Sequence, residues 1–357
     1  MGIDFRAAVA AGLAAAILAG CGRSSSGPPS TALNTHVVTD STGTAVTVPN
    51  SVTRIADAWP AHNEVVQMLG SGDKIVATVL TPASVPWLYT IDPALRQAQT
   101  VFTNTTVNAE ALAQTHPDVV FADQSTQIAA KTPKLGIPIV QLGFQTYADL
   151  KQVVATTADV LGPAAQAQAT RYNSYLDSTL AAISAVTSTI PAAQRPSVLH
   201  IYSLNPLVVD GTDSIIDAWI TAAGGRNAAQ ISGNARPVST EQVAQWNPDV
   251  IILASSAFAA ADTGQQTLDK LSTDPFWSHL AAVRNHRAYI NPTGGWHWDR
   301  YGIEEALQLQ WAATTLHPEA FAGLDMVAET KSFYSRFLHY QLTDDQVSRI
   351  LAGQNPA

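Results

Sequence analysis

The feature that most restricts the fold is a unit that occurs twice. Asn108–Gln124 reads NAEALAQTHPDVVFADQ, and Ser239–Ser255 reads STEQVAQWNPDVIILAS. Each copy has a small polar residue at a helix start, a glutamate two positions on, a short amphipathic stretch, Pro-Asp and an apolar run. Asn108 and Ser239 can accept from the free N–H groups of a first helical turn, where the helix dipole also favours the carboxylates of Glu110 and Glu241. Side chains alternate faces along a strand, so VVFA and VIIL, which have no polar face, must be covered on both sides. That calls for helices on both faces of a mostly parallel sheet, and two copies call for two related lobes.

Other β-rich runs alternate with helical patterns. Arg54–Asp57, Lys74–Val79, Pro138–Leu142, Ser197–Ser203 and Ala288–Asn291 join Asp118–Ala122 and Asp249–Ala254 as strands, and Val37–Pro49 reads as a small hairpin. One segment breaks the alternation. Thr146–Leu161 is helical, Gly162-Pro163 stops and restarts the helix, and Ala164–Thr189 continues without Gly or Pro. Within it Tyr172, Leu176, Leu180, Ile183 and Val186 form one apolar stripe. At 1.5 Å per residue this is a rod of ~40 Å, long enough to join two lobes and to resist a large hinge motion. The expected class is α/β: two βα lobes with mostly parallel central sheets, joined by one long rigid helix, with a ligand cleft between them. The lobes are expected at 37–145 and 191–357, with linking helices at 146–190.

The N-terminus speaks of export. Met1–Arg6 carries one Arg, Ala7–Gly20 is an unbroken apolar run, and Leu18-Ala19-Gly20-Cys21 closes it. That run is short for a ~30 Å hydrocarbon core but suits a secretory signal. Cys21 is the single cysteine of the chain, placed where a lipoprotein receives its diacylglycerol. Residues 1–20 therefore read as a signal peptide and 21–36 as a lipidated flexible tether. Acyl chains contribute ~0.8 kcal/mol per buried methylene, enough to hold the protein on the outer face of the cytoplasmic membrane or in the periplasm. A net charge of −9 with no Lys/Arg cluster argues against nucleic acid.

With these pieces in order, the chain resembles the class III (TroA/FecB-like) substrate-binding lipoproteins of ABC importers, in their iron-complex branch. The resemblance runs from the opening hairpin and Arg54-Ile55 through Leu69-Gly70, Asp73-Lys74-Ile75-Val76, NAEALAQTHPDVV, Gly136–Val140 and the long helix. It continues through Ala223-Gly224-Gly225-Arg226-Asn227, STEQVAQWNPDVII and Asp299–Pro318 to Phe333-Tyr334 and Leu342-Thr343-Asp344. It implies a monomeric receptor that passes its solute to a permease driven by an ATPase, with no intrinsic cofactor. The transported ligand would be a ferric siderophore, haem, cobalamin or a nickel chelate. In such receptors one glutamate per lobe meets arginines of the permease, and Glu110 and Glu241 stand at the matching motif positions. A helix-start role accounts for the same two residues equally well.

Open α/β sheets bind ligands beyond the carboxyl ends of their strands. That rule selects Trp59, His62, Trp87 and Tyr89 on one wall, and Tyr202, Trp296, His297, Trp298 and Arg300 on the other. Flat aromatic faces suit chelates and tetrapyrroles. Arg300 could meet an anionic ligand or pair with Asp299 or Glu304. His62 and His297, one per lobe, could reach one metal from opposite sides, or could simply hydrogen-bond locally. Enzyme chemistry finds no foothold: there is no Gly-x-Ser-x-Gly, HExxH or P-loop, and the adjacent Glu304 and Glu305 diverge on one helix. A lipid-anchored hydrolase remains only a remote alternative.

Overall fold

The computed structural model describes residues 34–357, apart from 104–105, 132–134 and 256–262. Cys21, the signal peptide 1–20 and nearly all of the 21–36 tether lie outside the described residues. Strands β1 (Thr35–Thr39) and β2 (Ala45–Pro49) pair antiparallel as the expected hairpin, which begins two residues before the boundary drawn at 37.

Two sheets follow. The first comprises β3 (Ile55–Asp57), β4 (Ile75–Thr78), β5 (Gln99–Thr100), β6 (Val119–Asp123) and β7 (Ile139–Leu142), in the order β5-β4-β3-β6-β7 and wholly parallel. The second comprises β8 (Ser197–Leu204), β9 (Leu207–Asp210), β10 (Arg226–Asn227), β11 (Arg236–Pro237), β12 (Val250–Leu253) and β13 (Ala288–Ile290). Its order is β11-β9-β8-β12-β13, with β10 also beside β8; the β9 and β11 pairings are antiparallel and the others parallel. The mostly parallel α/β class is as expected. The antiparallel edge was not anticipated, because Leu207–Asp210 is too short to stand out from the turn before it.

The two repeats occupy equivalent places, β6 between β3 and β7, β12 between β8 and β13. The helices that precede them are α2 (Ala109–Gln114) and, later in the chain after α5 (Ile215–Ala222), α6 (Thr240–Trp246). Their caps are those the sequence called for: Asn108 accepts from the Ala111 amide at 3.0 Å, and Ser239 from the Gln242 amide at 3.3 Å. The Pro-Asp step has its own physical reason. Asp118 Oδ2 accepts from the amides of Thr53 (2.7 Å) and Arg54 (2.9 Å), and Asp249 Oδ2 accepts from the amide and hydroxyl of Ser197, both at 2.8 Å. Each aspartate thus staples its strand to the start of the neighbouring one and sets the register of the pair.

Between the sheets run α3 (Tyr147–Leu161), closed at its start by a reciprocal Thr146–Asp149 capping box, and α4 (Pro163–Thr187). Gly162, at φ 99°, makes the break between them. The 25-residue α4 buries Tyr172, Leu176 and Ile183 along one stripe, and the Tyr172 hydroxyl donates to the Ile303 carbonyl at 2.8 Å. Leu180 and Val186 of the expected stripe are partly buried against the same core. Among the described residues no helix is long and apolar enough to cross a membrane.

The aspartate staples predict a measurable cost. Asp118→Ala and Asp249→Ala should each lower the unfolding free energy by about 1–2 kcal/mol, the scale of hydrogen bonds to a partly exposed charged acceptor. Urea denaturation followed by circular dichroism should register the loss.

Candidate functional site

The carboxyl ends of both sheets open onto one cavity of about 310 Å³. Ala58–Ala61 follow β3 and Asp123 ends β6; opposite them are Tyr202 of β8, Ala254 after β12, and Trp296, His297, Asp299, Arg300 and Tyr301 from the loop after β13. The loop ends at α7 (Glu305–Leu316). Tyr301, at φ 65°, turns the chain toward that helix, and its amide donates to Glu305 Oε1 at 3.1 Å.

The aromatic wall spans both halves. The Trp59 ring lies 5.9 Å from Phe144 and 6.2 Å from Tyr301, and Phe144 and Tyr301 meet edge-on at 5.5 Å. On the far side the Arg300 guanidinium lies over the Tyr202 ring at 4.8 Å. Trp296 lines the cavity too, with its indole Nε1 buried and without a hydrogen-bond acceptor. His297 Nδ1 lies 2.7 Å from Ser255 Oγ and 3.3 Å from Thr293 Oγ1. Burial lowers the His297 pKa, so its ring is neutral at physiological pH, with Nε2 left over for a ligand.

Beneath Arg300 lies a buried charge network. Its Nη2 donates to Asp210 Oδ2 at 2.9 Å and to Asp299 Oδ2 at 2.7 Å, and its Nε donates to Asp299 at 3.0 Å. His200, paired in register with Asp210 across β8 and β9, places Nδ1 2.8 Å from Asp210 and Nε2 3.2 Å from Asp299. Burial alone would raise the Asp210 pKa, but the His200 hydrogen bond and the Arg300 charge bring it down to about 2. Burial likewise opposes ionisation of Asp299, and Arg300 and His200 more than reverse it. For His200, burial lowers the pKa and the two carboxylates raise it further than burial lowers it. All these bonds of Arg300 use Nε and Nη2, so its Nη1 edge is not engaged by either carboxylate.

Several sequence expectations need correction. His62, leading α1 (His62–Met68), is fully buried, with Nδ1 2.8 Å from Asp57 Oδ2 and Nε2 2.8 Å from Thr157 Oγ1. Both ring nitrogens are taken, so it is no metal ligand here and does not face His297 across the cavity. Asp57, five residues earlier at a strand end, was the available signal. Trp298 is also fully buried, its Nε1 donating to Glu304 Oε1 at 2.9 Å, so of the WHW segment only Trp296 and His297 reach the cavity. Trp87 is buried with its Nε1 on the Gln354 carbonyl at 2.8 Å, and Tyr89 is buried with its hydroxyl on the Leu80 carbonyl at 3.1 Å. Neither lines this cavity, though Trp87 borders a smaller neighbouring one of about 210 Å³. Tyr301, Asp210 and Asp299 form wall and support that the sequence does not single out; Asp299 figures there only as a competitor for Arg300. Among the described residues no group of three His, Cys, Asp or Glu side chains gathers as a metal site.

Glu110 and Glu241 are exposed in the first turns of their helices. The Val101 carbonyl accepts from the amide of Asn108 beside the end of β4, and the amide of Val238, next to Ser239, donates to Leu207 just past the end of β8. Both glutamates therefore sit at the cavity end of their sheets.

The chain belongs to the periplasmic binding protein family, whose model matches residues 55–293, and its fold is the class III (TroA-like) one. A periplasmic solute-binding protein from Veillonella parvula is 30% identical, with a TM-score of 0.76 over 89% of this chain and 97% of its own. The molybdate-bound periplasmic binding protein MolA of a Haemophilus influenzae ABC transporter shares the fold at 19% identity and TM-score 0.75, over 86% of this chain and 99% of its own. So does Helicobacter pylori CeuE in complex with nickel and histidine, at 18% and 0.72, over 89% and 99%. No curated protein sequence matches. The protein is thus an extracytoplasmic solute receptor rather than an enzyme, of a family whose members work with the permease and ATPase of an ABC transporter.

The charge network makes stability depend on pH from both sides. Asp210 and Asp299 have folded pKa values below their unfolded value of about 3.9, so their contribution is complete above that value and is lost as the pH falls, for Asp210 through about 2 and for Asp299 lower still. His200 has a folded value above about 6.5, so its contribution is complete below that and lost as the pH rises through the folded value. Thermal melts across pH should show both limbs, and His200→Gln should remove the alkaline one and shrink the acid one to the part that Arg300 sustains.

Proposed function

We propose that this receptor captures a compact metal chelate, a ferric siderophore or another small iron complex, and delivers it to the importer's permease. The observation that carries the reading is the cavity wall. Aromatic faces from both halves, Trp59 and Tyr301, stand with the Arg300 Nη1 edge, the His297 Nε2 and the unpartnered Trp296 Nε1. Aromatic rings cover the planar apolar parts of a chelator, a guanidinium takes its anionic oxygens, and neutral imidazole and indole N–H groups take the rest. The volume, about 310 Å³, is near the lower end of the ~300–1,000 Å³ usual for small-molecule sites, which favours a compact complex over haem or cobalamin. A nickel–histidine complex, as in the Helicobacter pylori neighbour, is of that compact kind. A lipid on Cys21 keeps such a receptor beside its permease.

Protein purified from metal-replete cells and examined by mass spectrometry and absorption should carry a small iron complex. A Soret or corrin band would overturn the compact-chelate reading. Titration with the complex so identified should quench tryptophan fluorescence. Trp59→Ala and Trp296→Ala should each remove part of the quench and weaken binding by ~1–3 kcal/mol, the scale of one lost aromatic contact.

Glu110 and Glu241 would dock the receptor, one from each half, since both are exposed at the cavity end. Charge complementarity of this kind governs orientation and on-rate. Glu110→Arg and Glu241→Arg should leave the affinity of the isolated receptor unchanged and cut uptake of the labelled complex by cells. Equal losses in binding and uptake would remove the docking role.

A further inference from the structure

Two buried carboxyls that the capture chemistry does not use lie directly behind the cavity wall. Glu64 comes from α1, after β3 of the first sheet; Glu304 precedes α7, after β13 of the second. Both are fully buried, and they face each other. Three glycines make room for them. A Cβ on Gly295 would fall 2.6 Å from Glu64 Oε1 and one on Gly302 would fall 2.7 Å from its Oε2, while a Cβ on Gly294 would strike Glu304 and Tyr334.

The surroundings of the two are unequal. Glu304 accepts from the Trp296 amide at 2.8 Å, from Trp298 Nε1 at 2.9 Å and from the hydroxyl of Tyr334, on α8 (Met326–Phe337). The same hydroxyl accepts from the Gly295 amide at 3.2 Å. Glu64 Oε2 receives the Ile303 amide at 3.1 Å and the carboxyl also feels the Glu304 amide, but its Oε1 is buried without a donor. Three donors on one carboxyl match an anion. A buried oxygen with no donor, beside that anion, matches an acid that gives a proton rather than a base that takes one.

We propose that Glu64 is held as a neutral carboxylic acid that donates its proton to the Glu304 carboxylate, and that this hydrogen bond between the two halves positions the Trp296–Trp298 segment at the cavity wall. Both are positioning residues, acting on solute capture through Trp296 and His297. The surrounding chemistry agrees. Burial pushes the Glu64 carboxyl well above its ordinary range, and the charge of Glu304 pushes it further. Burial raises Glu304 as well, with Tyr334, Trp296, Glu64 and Trp298 all opposing the rise. The other titratable groups facing the pair are Tyr334 from α8 and Tyr172 from α4, with Glu305 beyond; among the described residues no Lys, Arg or His forms a hydrogen bond or ion pair with either carboxyl.

The inference rests on the cavity as the capture site, but its test uses ligand-free protein and so stands apart from the identity of the solute. Infrared difference spectra at neutral pH between the wild type and Glu64→Gln should show loss of a protonated-carboxyl C=O band. Glu64→Gln, whose amide can still donate to Glu304, should keep wild-type acrylamide quenching of tryptophan. Glu64→Ala, which offers no donor, should show increased quenching as Trp298 loses its burial. No band lost in Glu64→Gln, or equal quenching of Glu64→Gln and Glu64→Ala, would overturn the assignment. Should Glu64→Ala fail to fold, the infrared difference on Glu64→Gln decides alone.

Discussion

Arg300, His200, Asp210 and Asp299 are removed from water together, and much of the second half of the chain serves to keep them paired. Breaking such a buried set by removing one member leaves an uncompensated charge, typically at a cost of about 3–5 kcal/mol. The pairing needs β9 folded back on β8 so that His200 faces Asp210, and it needs the loop after β13 to bring Asp299 alongside. The buried Trp219 indole fastens that loop by donating to the Asp299 carbonyl at 3.2 Å. Once those conditions hold, Tyr202, Trp296, His297 and Tyr301 have little freedom in where they stand.

Much of this frame was legible from residues alone. The doubled unit announced two equivalent strands because an apolar run with no polar face has only one kind of environment. The long helix was visible because Tyr172, Leu176 and Ile183 recur at helical spacing over a stretch free of Gly and Pro. Less legible was which side of a loop each aromatic takes. Trp298 and Trp87 look in sequence like Trp296 and Tyr202, yet each finds an acceptor, Glu304 or the Gln354 carbonyl, that lies at the start of a helix or far along the chain. His62 was misread for the same reason: half of its hydrogen bonding comes from Thr157, ninety-five positions along the chain. Patterns of period two or 3.6 report which face is buried; they do not report a partner brought in by tertiary structure.

The site also explains why the protein holds a solute without altering it. Arg300 faces the cavity, but its charge is balanced from behind, and Glu304 and Glu305 point into the interior rather than flanking a bond. What the cavity offers is aromatic surface and a few fixed donors. Surfaces and donors of this kind recognise and release a solute.

The aspartates of the two Pro-Asp steps lie at the amino ends of their sheets, away from the cavity, where they tie Thr53, Arg54 and Ser197 into place. Register is therefore decided at one end and recognition at the other. A lineage built this way can exchange the residues of its binding loops without unsettling the order of its strands. Neighbours that share the architecture at 18–19% identity can then be found holding cargoes as unlike as an oxyanion and a metal–amino acid complex.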